Sequence, residues 1–177
     1  MLRKIVSIIF IFIAITILFY NCNEDINREI KIDNVISTNN INRKYDGYLI
    51  IEKLKYKGLI RVGEYDEILD SNLILMISDK NLFNSSVGNI ILAGHNNKYV
   101  FSKLYKLNIG DEIIISDFNN EYAYTVENLE YINIKNKSVL DNIYDKKILT
   151  LITCTNDNQV RYVVRAKYNH IISENNN

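Results

Sequence analysis

Hydrophobic and polar positions along the chain predict a membrane segment followed by a domain of short strands. Residues 5–20 are almost entirely apolar and carry no charge, whereas residues 24–46 are polar with scattered isoleucines and no clear period. From residue 47 onward, apolar or alternating stretches of strand length are separated by polar turns. This pattern predicts an anchor at 1–23, a stalk at 24–46 and a folded domain at 47–177.

The strand-like stretches of the folded domain are typical of a barrel or sandwich. Two of them, "GYLIIEKL" and "LIRVGEY", flank Lys57 and Gly58, and "NIILAG" has the apolar run of a strand buried on both faces. "DEIIIS" and "EYAYTVEN" form a hairpin through "DFNN", and "KILTLITC" and "VRYVVRAKY" are the last two strands. Helical turns are expected in "YVFSKLYKLNIG", ending near Gly110, and in "NKSVLDNIY". Seven or eight short strands predict a mostly β, mostly antiparallel fold with short helical insertions.

The apolar run near the N-terminus is either a signal peptide or a membrane span. Arg3 and Lys4 precede it, and the helix from Ile5 to Tyr20 reaches roughly 24 Å, slightly short of a ~30 Å hydrocarbon core. No small-x-small cleavage pattern follows in "LFYNCN", which favours an uncleaved signal anchor. The basic residues before the run predict a cytoplasmic N-terminus, a membrane segment within residues 5–23 and an extracytoplasmic domain.

The charge balance limits the kinds of binding partner, and the cysteine content limits the possible disulfides. The chain has 177 residues with 21 basic and 21 acidic side chains, and this balance argues against a nucleic-acid partner. Of its two cysteines, Cys22 lies at the membrane boundary and Cys154 lies in the exported domain. The exported domain therefore holds one thiol and no intradomain partner for a disulfide.

Three side chains with catalytic chemistry fall at the ends of predicted strands. Cys154 ends one strand and Arg161 lies near the start of the next, so a hairpin would bring both to the same end of the sheet. His95 follows "NIILAG", and an imidazole is the usual activator of a cysteine nucleophile. His170 lies in the C-terminal stretch "NHIISENNN" and is expected to be solvated. His, Cys and Arg at three strand ends favour a catalytic thiol over a buried packing residue.

The segments around these three residues resemble the sortases, the membrane-anchored cysteine transpeptidases of Gram-positive bacteria. The resemblance is carried by "ILAGHN" at His95, by "TLITC" at 150–154 and by "RYVVRAK" from Arg161. "TLITC" fits the family's Thr-Leu-x-Thr-Cys signature at every fixed position, and "GYLIIEKLKYKGLIRVG" and "FSKLYKLNIGDEI" are similar to other parts of the family domain. The resemblance implies an eight-stranded sortase-type β-barrel preceded by an N-terminal transmembrane helix.

The resemblance also implies a role for each catalytic residue. Cys154 would attack the backbone carbonyl of a sorting-signal peptide of the LPxTG kind, with cleavage between Thr and Gly. His95 would serve as general acid and base, and Arg161 would hold the substrate and stabilise the oxyanion. An amine from a cell-wall precursor or from another protein, such as a pilin, would then resolve the thioester. The residues leave open whether the Cys-His pair is charged or neutral.

Three neighbouring residues are candidates for substrate binding. Thr153, next to the nucleophile, is expected to line the groove, and the backbone N–H of Thr155 is a further candidate donor to the oxyanion. Arg165 shares a strand face with Arg161 and is therefore the rival for the role of substrate arginine. Arg161 lies nearer the rim and matches the family position.

The chain departs from the family pattern in ways that leave the subclass open. Glu52 stands where family members commonly carry a proline, and the loop between Cys154 and Arg161 is shorter than in the housekeeping class. "GHN" and "RYVVRAK" lean toward class B or D. Some sortases bind calcium through acidic loops, but a solvated helix face explains the acidic cluster of this chain better, so neither a metal nor another cofactor is predicted. The cluster consists of Glu64, Asp66, Glu67 and Asp70.

Two functions of other classes remain open at this point. A membrane-anchored cysteine peptidase would use the same residues and give its acyl group to water. A non-catalytic exported β-domain would bind wall components, with Cys154 as a packing residue.

Overall fold

The computed structural model describes residues 2–38, 45–63, 72–141, 143, 145–157 and 159–174. The chain divides into two units, Met1–Thr38 and Asn39–Asn177, and each is described by itself. The acidic cluster at 64–70 lies outside the described residues.

The first unit is one helix, α1, at Leu2–Ser37. Its most apolar stretch has a mean hydropathy of 2.5 and is fully exposed, so the helix is long and apolar enough to span a membrane. The helix continues well into the polar segment predicted to be a stalk. No glycine or proline interrupts residues 24–37, so the polar residues extend the helix that the apolar run begins.

The second unit is a closed β-barrel with the strand order β1-β2-β3-β4-β7-β8-β6-β5. The β2–β3 and β4–β7 pairs are parallel and the other six pairs are antiparallel. The strands are β1 (Gly47–Ile51), β2 (Tyr56–Val62), β3 (Ile74–Met76), β4 (Gly88–Gly94), β5 (Glu112–Ser116), β6 (Asn120–Asn133), β7 (Lys147–Cys154) and β8 (Val160–Glu174). This architecture confirms the mostly β, eight-stranded barrel expected from the resemblance.

Short 3-10 turns confirm the predicted helical insertions, at Leu104–Lys106 and at Ser138–Leu140. β8 is longer than predicted because it pairs with β6 along almost its whole length. His170 therefore lies on a strand opposite Ala123, and it is exposed as expected.

The first turn of the barrel lies earlier than the pattern indicates. Lys57 and Gly58 lie inside β2, and the connection is a 3-10 turn at Glu52–Leu54 followed by Lys55 with φ 49°. A Cβ at residue 58 would lie 2.3 Å from the Tyr56 hydroxyl, so this glycine permits close packing inside the sheet and does not mark a turn.

Alternation along β7 separates two apolar clusters that together position the site. Leu149 and Leu151 point into the main core of the barrel, whereas Ile152 packs on the other face against a small cluster. The small cluster consists of Ile132, Val139 and Val163. Cys154 lies two residues after Ile152 and therefore shares this outer face.

Candidate active site

The hairpin of β7 and β8 places Cys154 directly opposite Arg161. Residues directly opposite each other in an antiparallel pair point to the same side, with Cα atoms about 4.5–5.5 Å apart. Just beyond this pair, the Thr155 N–H donates to the Val160 carbonyl at 3.3 Å. The prediction that the thiol and the guanidinium lie at the same end of the sheet is confirmed.

His95 lies beside Cys154, at the end of the neighbouring parallel strand β4. β4 and β7 run in register with Gly94 opposite Thr153, and His95 and Cys154 are the residues that follow this pair. Neighbouring strands lie about 4.8 Å apart, so the imidazole and the thiol leave adjacent backbones at the same level. The carbonyl of His95 accepts a hydrogen bond from the Phe101 N–H at 3.0 Å, which fixes the backbone at this point.

Gly94 allows the segment after His95 to fold back closely over β4. A Cβ at this position would lie 2.5 Å from Val100 Cγ1 and 2.7 Å from Phe101 Cδ2, and both side chains are buried. The absence of a Cβ at Gly94 therefore allows these two side chains to lie against the backbone of β4. This contact sets the direction in which the chain carries His95 out of the strand.

A hydrogen bond from Thr153 joins β7, which ends at Cys154, to β4, which precedes His95. Its hydroxyl donates to the Gly94 carbonyl at 2.8 Å, and only 5% of the residue is exposed. The bond joins the residue before His95 to the residue before Cys154, so it limits relative movement of the two. Thr153 also lines the groove, as predicted.

A groove of about 210 Å³ contains the three predicted catalytic residues. Most of its lining is apolar, and three of the lining residues, Ile77, Ile134 and Leu140, are 43–45% exposed. The lining residues are Leu75, Ile77, Ala93, Gly94, His95, Ile132, Ile134, Asn136, Lys137, Val139, Leu140, Ile152, Thr153, Cys154 and Arg161. The groove therefore offers an apolar surface beside a thiol, an imidazole and a guanidinium.

One wall of the groove is held by a buried asparagine that the sequence analysis missed. The Asn89 amide nitrogen donates to the Val139 carbonyl at 3.0 Å and to the Asp141 carbonyl at 3.3 Å. Its amide oxygen accepts from the Thr150 hydroxyl at 2.6 Å, and only 3% of Asn89 is exposed. The network fastens the connection between β6 and β7 to the barrel. The available signal was a polar residue at the start of the otherwise apolar stretch "NIILAG".

Two of the predicted substrate-binding groups have other partners. The backbone N–H of Thr155, a candidate donor to the oxyanion, donates to the Val160 carbonyl instead because it closes the hairpin ladder. Arg165 lies opposite Thr150, four residues along the strand from Arg161, and its Nε atom is 3.6 Å from Glu130 Oε1. Arg165 is not among the residues that line the groove. The structure thus brings together His95, Cys154, Arg161 and Thr153.

No cluster of three or more His, Cys, Asp or Glu side chains that could hold a metal ion occurs in the part of the chain that the structure describes.

Comparison with known proteins relates this chain to one family. The family model for the sortase domain matches residues 49–169. Sortase A of Listeria monocytogenes is 41% identical over 70 residues, which cover 38% of this chain and 31% of that protein. Sortase A of Bacillus anthracis is 39% identical over 82 residues, covering 44% and 39% respectively. The match therefore spans 31% to 39% of the length of these relatives. Among solved structures, the sortase D5 transpeptidase of Clostridium perfringens has a TM-score of 0.62 at 29% identity, covering 71% of this chain and 79% of that one.

Proposed function

Because the chain belongs to the sortase family, we propose that it is a membrane-anchored cysteine transpeptidase that cleaves an LPxTG-like sorting signal between Thr and Gly. The acyl group passes to an amine of a cell-wall precursor or of another protein. The observation that carries this proposal is the meeting of His95, Cys154 and Arg161 in one groove.

The first half of the reaction forms a thioester. The Cys154 sulfur attacks the carbonyl carbon of the substrate threonine, and the thiol proton passes to His95. When the tetrahedral intermediate collapses, the bond to the glycine nitrogen breaks and His95 gives this nitrogen its proton. The C-terminal fragment leaves as a free amine, and the rest of the substrate remains bound to the sulfur.

The second half transfers the acyl group. An incoming amine attacks the thioester carbonyl and loses a proton to His95, the carbon-sulfur bond breaks, and Cys154 recovers its proton. A new amide bond replaces the one that was cleaved, so the reaction consumes no cofactor. The register that places His95 and Cys154 on neighbouring strands supports proton transfer in both halves.

Arg161 supplies positive charge where the oxyanion forms. Its position opposite Cys154 supports this role, and its Nη1 atom donates to the Val160 carbonyl at 3.1 Å, which orients the planar guanidinium. Since the Thr155 N–H already has the Val160 carbonyl as its acceptor, oxyanion stabilisation falls mainly to Arg161.

The apolar lining supports a substrate with apolar residues before the cleavage site. Ile77, Ile134 and Leu140 expose enough surface to pack against the leucine and proline of an LPxTG-like motif. α1 supplies the anchor, and Arg3 and Lys4 before its apolar stretch favour a cytoplasmic N-terminus with the barrel outside.

The test uses the full chain in detergent micelles with LPxTG-like peptides, with and without a triglycine acceptor, followed by mass spectrometry. Wild type is compared with Cys154→Ala, and Cys22→Ala is the matched control because Cys22 is the other cysteine and lies in α1. We expect an acyl-enzyme and a triglycine adduct with wild type and with Cys22→Ala, and neither with Cys154→Ala.

Other outcomes point to the remaining functions. Hydrolysed peptide as the sole product, even at high triglycine concentration, would indicate a peptidase. The absence of an acyl-enzyme with every peptide, together with a Cys154 that is inert to thiol reagents, would indicate a binding domain.

A further inference from the structure

The chargeable side chains that line the groove are all basic, in the part of the chain that the structure describes. Apart from the thiol, they are His95, Lys137 and Arg161, and no described carboxylate lines the groove. The whole chain has no net charge at neutral pH, so this positive character is local. A local excess of one sign in a cleft selects for ligands of the opposite sign.

Lys137 stands at the groove on a well-fixed piece of backbone. Its carbonyl accepts from the Leu140 N–H at 2.9 Å, and the next residue, Ser138, donates its N–H to Asn136 Oδ1 at 3.1 Å. Two residues further on, the Val139 carbonyl is held by the buried Asn89 amide. These hydrogen bonds hold the backbone of Lys137 in place, although its side chain is exposed.

No described residue neutralises the Lys137 ammonium. Lys137 takes part in neither the Lys53–Asp111 nor the Arg165–Glu130 ion pair. Its neighbour Lys135 is also exposed, lies on the same connection and does not line the groove. The two lysines thus form a natural pair of test and control positions.

We propose that Lys137 is a specificity residue that selects sorting signals carrying an acidic side chain within or directly beside the LPxTG-like motif. The inference rests on the proposed function, because it names the substrates of the same groove. The substrate carboxylate pairs with the Lys137 ammonium while the thiol attacks, and Arg161 remains at the oxyanion. An exposed ion pair of this kind changes kcat/KM by up to about fivefold.

The test measures kcat/KM of the full chain in detergent micelles with peptides that differ at one position. Glu, Gln and Lys are placed in turn at the variable position of the motif, at the residue before it and at the residue after it. We expect Glu to exceed Gln by about two- to fivefold and Lys by more, at one or more positions. The difference should shrink at about 1 M salt, where the screening length is only about 3 Å.

Charge reversal identifies the responsible side chain. Lys137→Glu should reverse the order of the Glu and Lys peptides, whereas Lys135→Glu should keep the wild-type order. Equal rates for Glu, Gln and Lys peptides at all three positions would overturn the inference and leave the proposed function intact, since the peptides would still be cleaved. A preference that Lys135→Glu reverses and Lys137→Glu does not would also overturn it. Failure of wild type to process any peptide would reject the proposed function and the inference together.

Discussion

Cys154 and Arg161 form the last pair of the β7–β8 ladder, so the thiol and the guanidinium stand on one face of the sheet at its open end. Six residues of connecting chain separate them in sequence, yet the hairpin makes them direct neighbours. Arg165 lies four residues further along β8, opposite Thr150 and beside Glu130. This difference in position distinguishes the two candidates for the substrate arginine.

Arg161→Ala should lower kcat/KM for peptide cleavage by about 10²–10³-fold, because a charged donor at the oxyanion is lost. Arg161→Lys should recover only part of this loss, since an ammonium lacks the planar set of donors. The control is Arg165→Ala, for which we expect a change of less than about threefold. If Arg165→Ala were the more damaging change, the assignment of the two arginines would have to be exchanged.

Asn89→Ala should destabilise the domain by about 1–3 kcal/mol, because it leaves the Val139 and Asp141 carbonyls and the Thr150 hydroxyl without their partner. It should also raise KM more than it lowers kcat, since the groove wall loosens while Cys154 stays in place. Steady-state kinetics and urea denaturation measure both effects.

Asn119→Ala is the control for Asn89→Ala, because Asn119 is exposed on the turn between β5 and β6. Thr150→Val should reproduce part of the Asn89→Ala effect. Unchanged KM in Asn89→Ala, despite lower stability, would show that the network supports the fold and not the groove.

Gly94→Ala should reduce both stability and activity. The added Cβ would lie 2.5 Å from Val100 Cγ1, and relief of this clash costs about 1–3 kcal/mol and shifts the chain around His95. Gly110→Ala separates the two effects. Gly110 has φ 95° and no atom within 4 Å of an added Cβ, so alanine there strains the backbone by about 1–2 kcal/mol without touching the groove. Peptide cleavage well below the melting temperature should fall in Gly94→Ala alone.

Lys147 makes stability depend on pH in the alkaline range. It is buried, its ammonium donates to the Phe83 carbonyl at 2.6 Å, and Nζ lies 4.2 Å from the centre of the Tyr122 ring. Burial lowers the pKa of Lys147 from 10.5 to about 8. Between these two values the unfolded chain holds a proton that the folded chain has released, so this residue makes the free energy of unfolding rise with pH.

The expected gain across the full window from pH 8 to 10.5 is at most about 3 kcal/mol. Urea denaturation between about pH 7 and pH 9.5 should show the rise in wild type and in Lys146→Met, and lose it in Lys147→Met. Lys146 is the exposed neighbour and serves as the control. The range stops below pH 10 because burial raises the pKa of Tyr48 to about 12, which opposes the rise once unfolded tyrosines ionise. A parallel pH dependence in all three proteins would contradict the role of Lys147.

The local pattern was sufficient for features that depend on neighbours in sequence. The uncharged apolar run predicted a helix able to span a membrane, and apolar stretches of strand length predicted β1, β2, β4 and the last four strands. Placement of His95, Cys154 and Arg161 at strand ends followed from the same stretches, because a strand end is visible as a change from apolar to polar residues. β3 was not predicted, because a strand of three residues is too short to show a hydrophobic period.

The sequence by itself determined the helix able to span a membrane, the strand-rich domain and the three residues at the strand ends, because each is encoded in a contiguous stretch. The tertiary structure alone decided that Asn89 clamps a loop fifty residues away, that Val160 takes the Thr155 N–H, and that Arg165 stays outside the groove. These outcomes depend on strand register and barrel closure, which bring together groups from distant parts of the chain. A hydrogen-bond donor has no assigned acceptor until the register is set, and hydrophobic periodicity defines the face of a residue but not its partner.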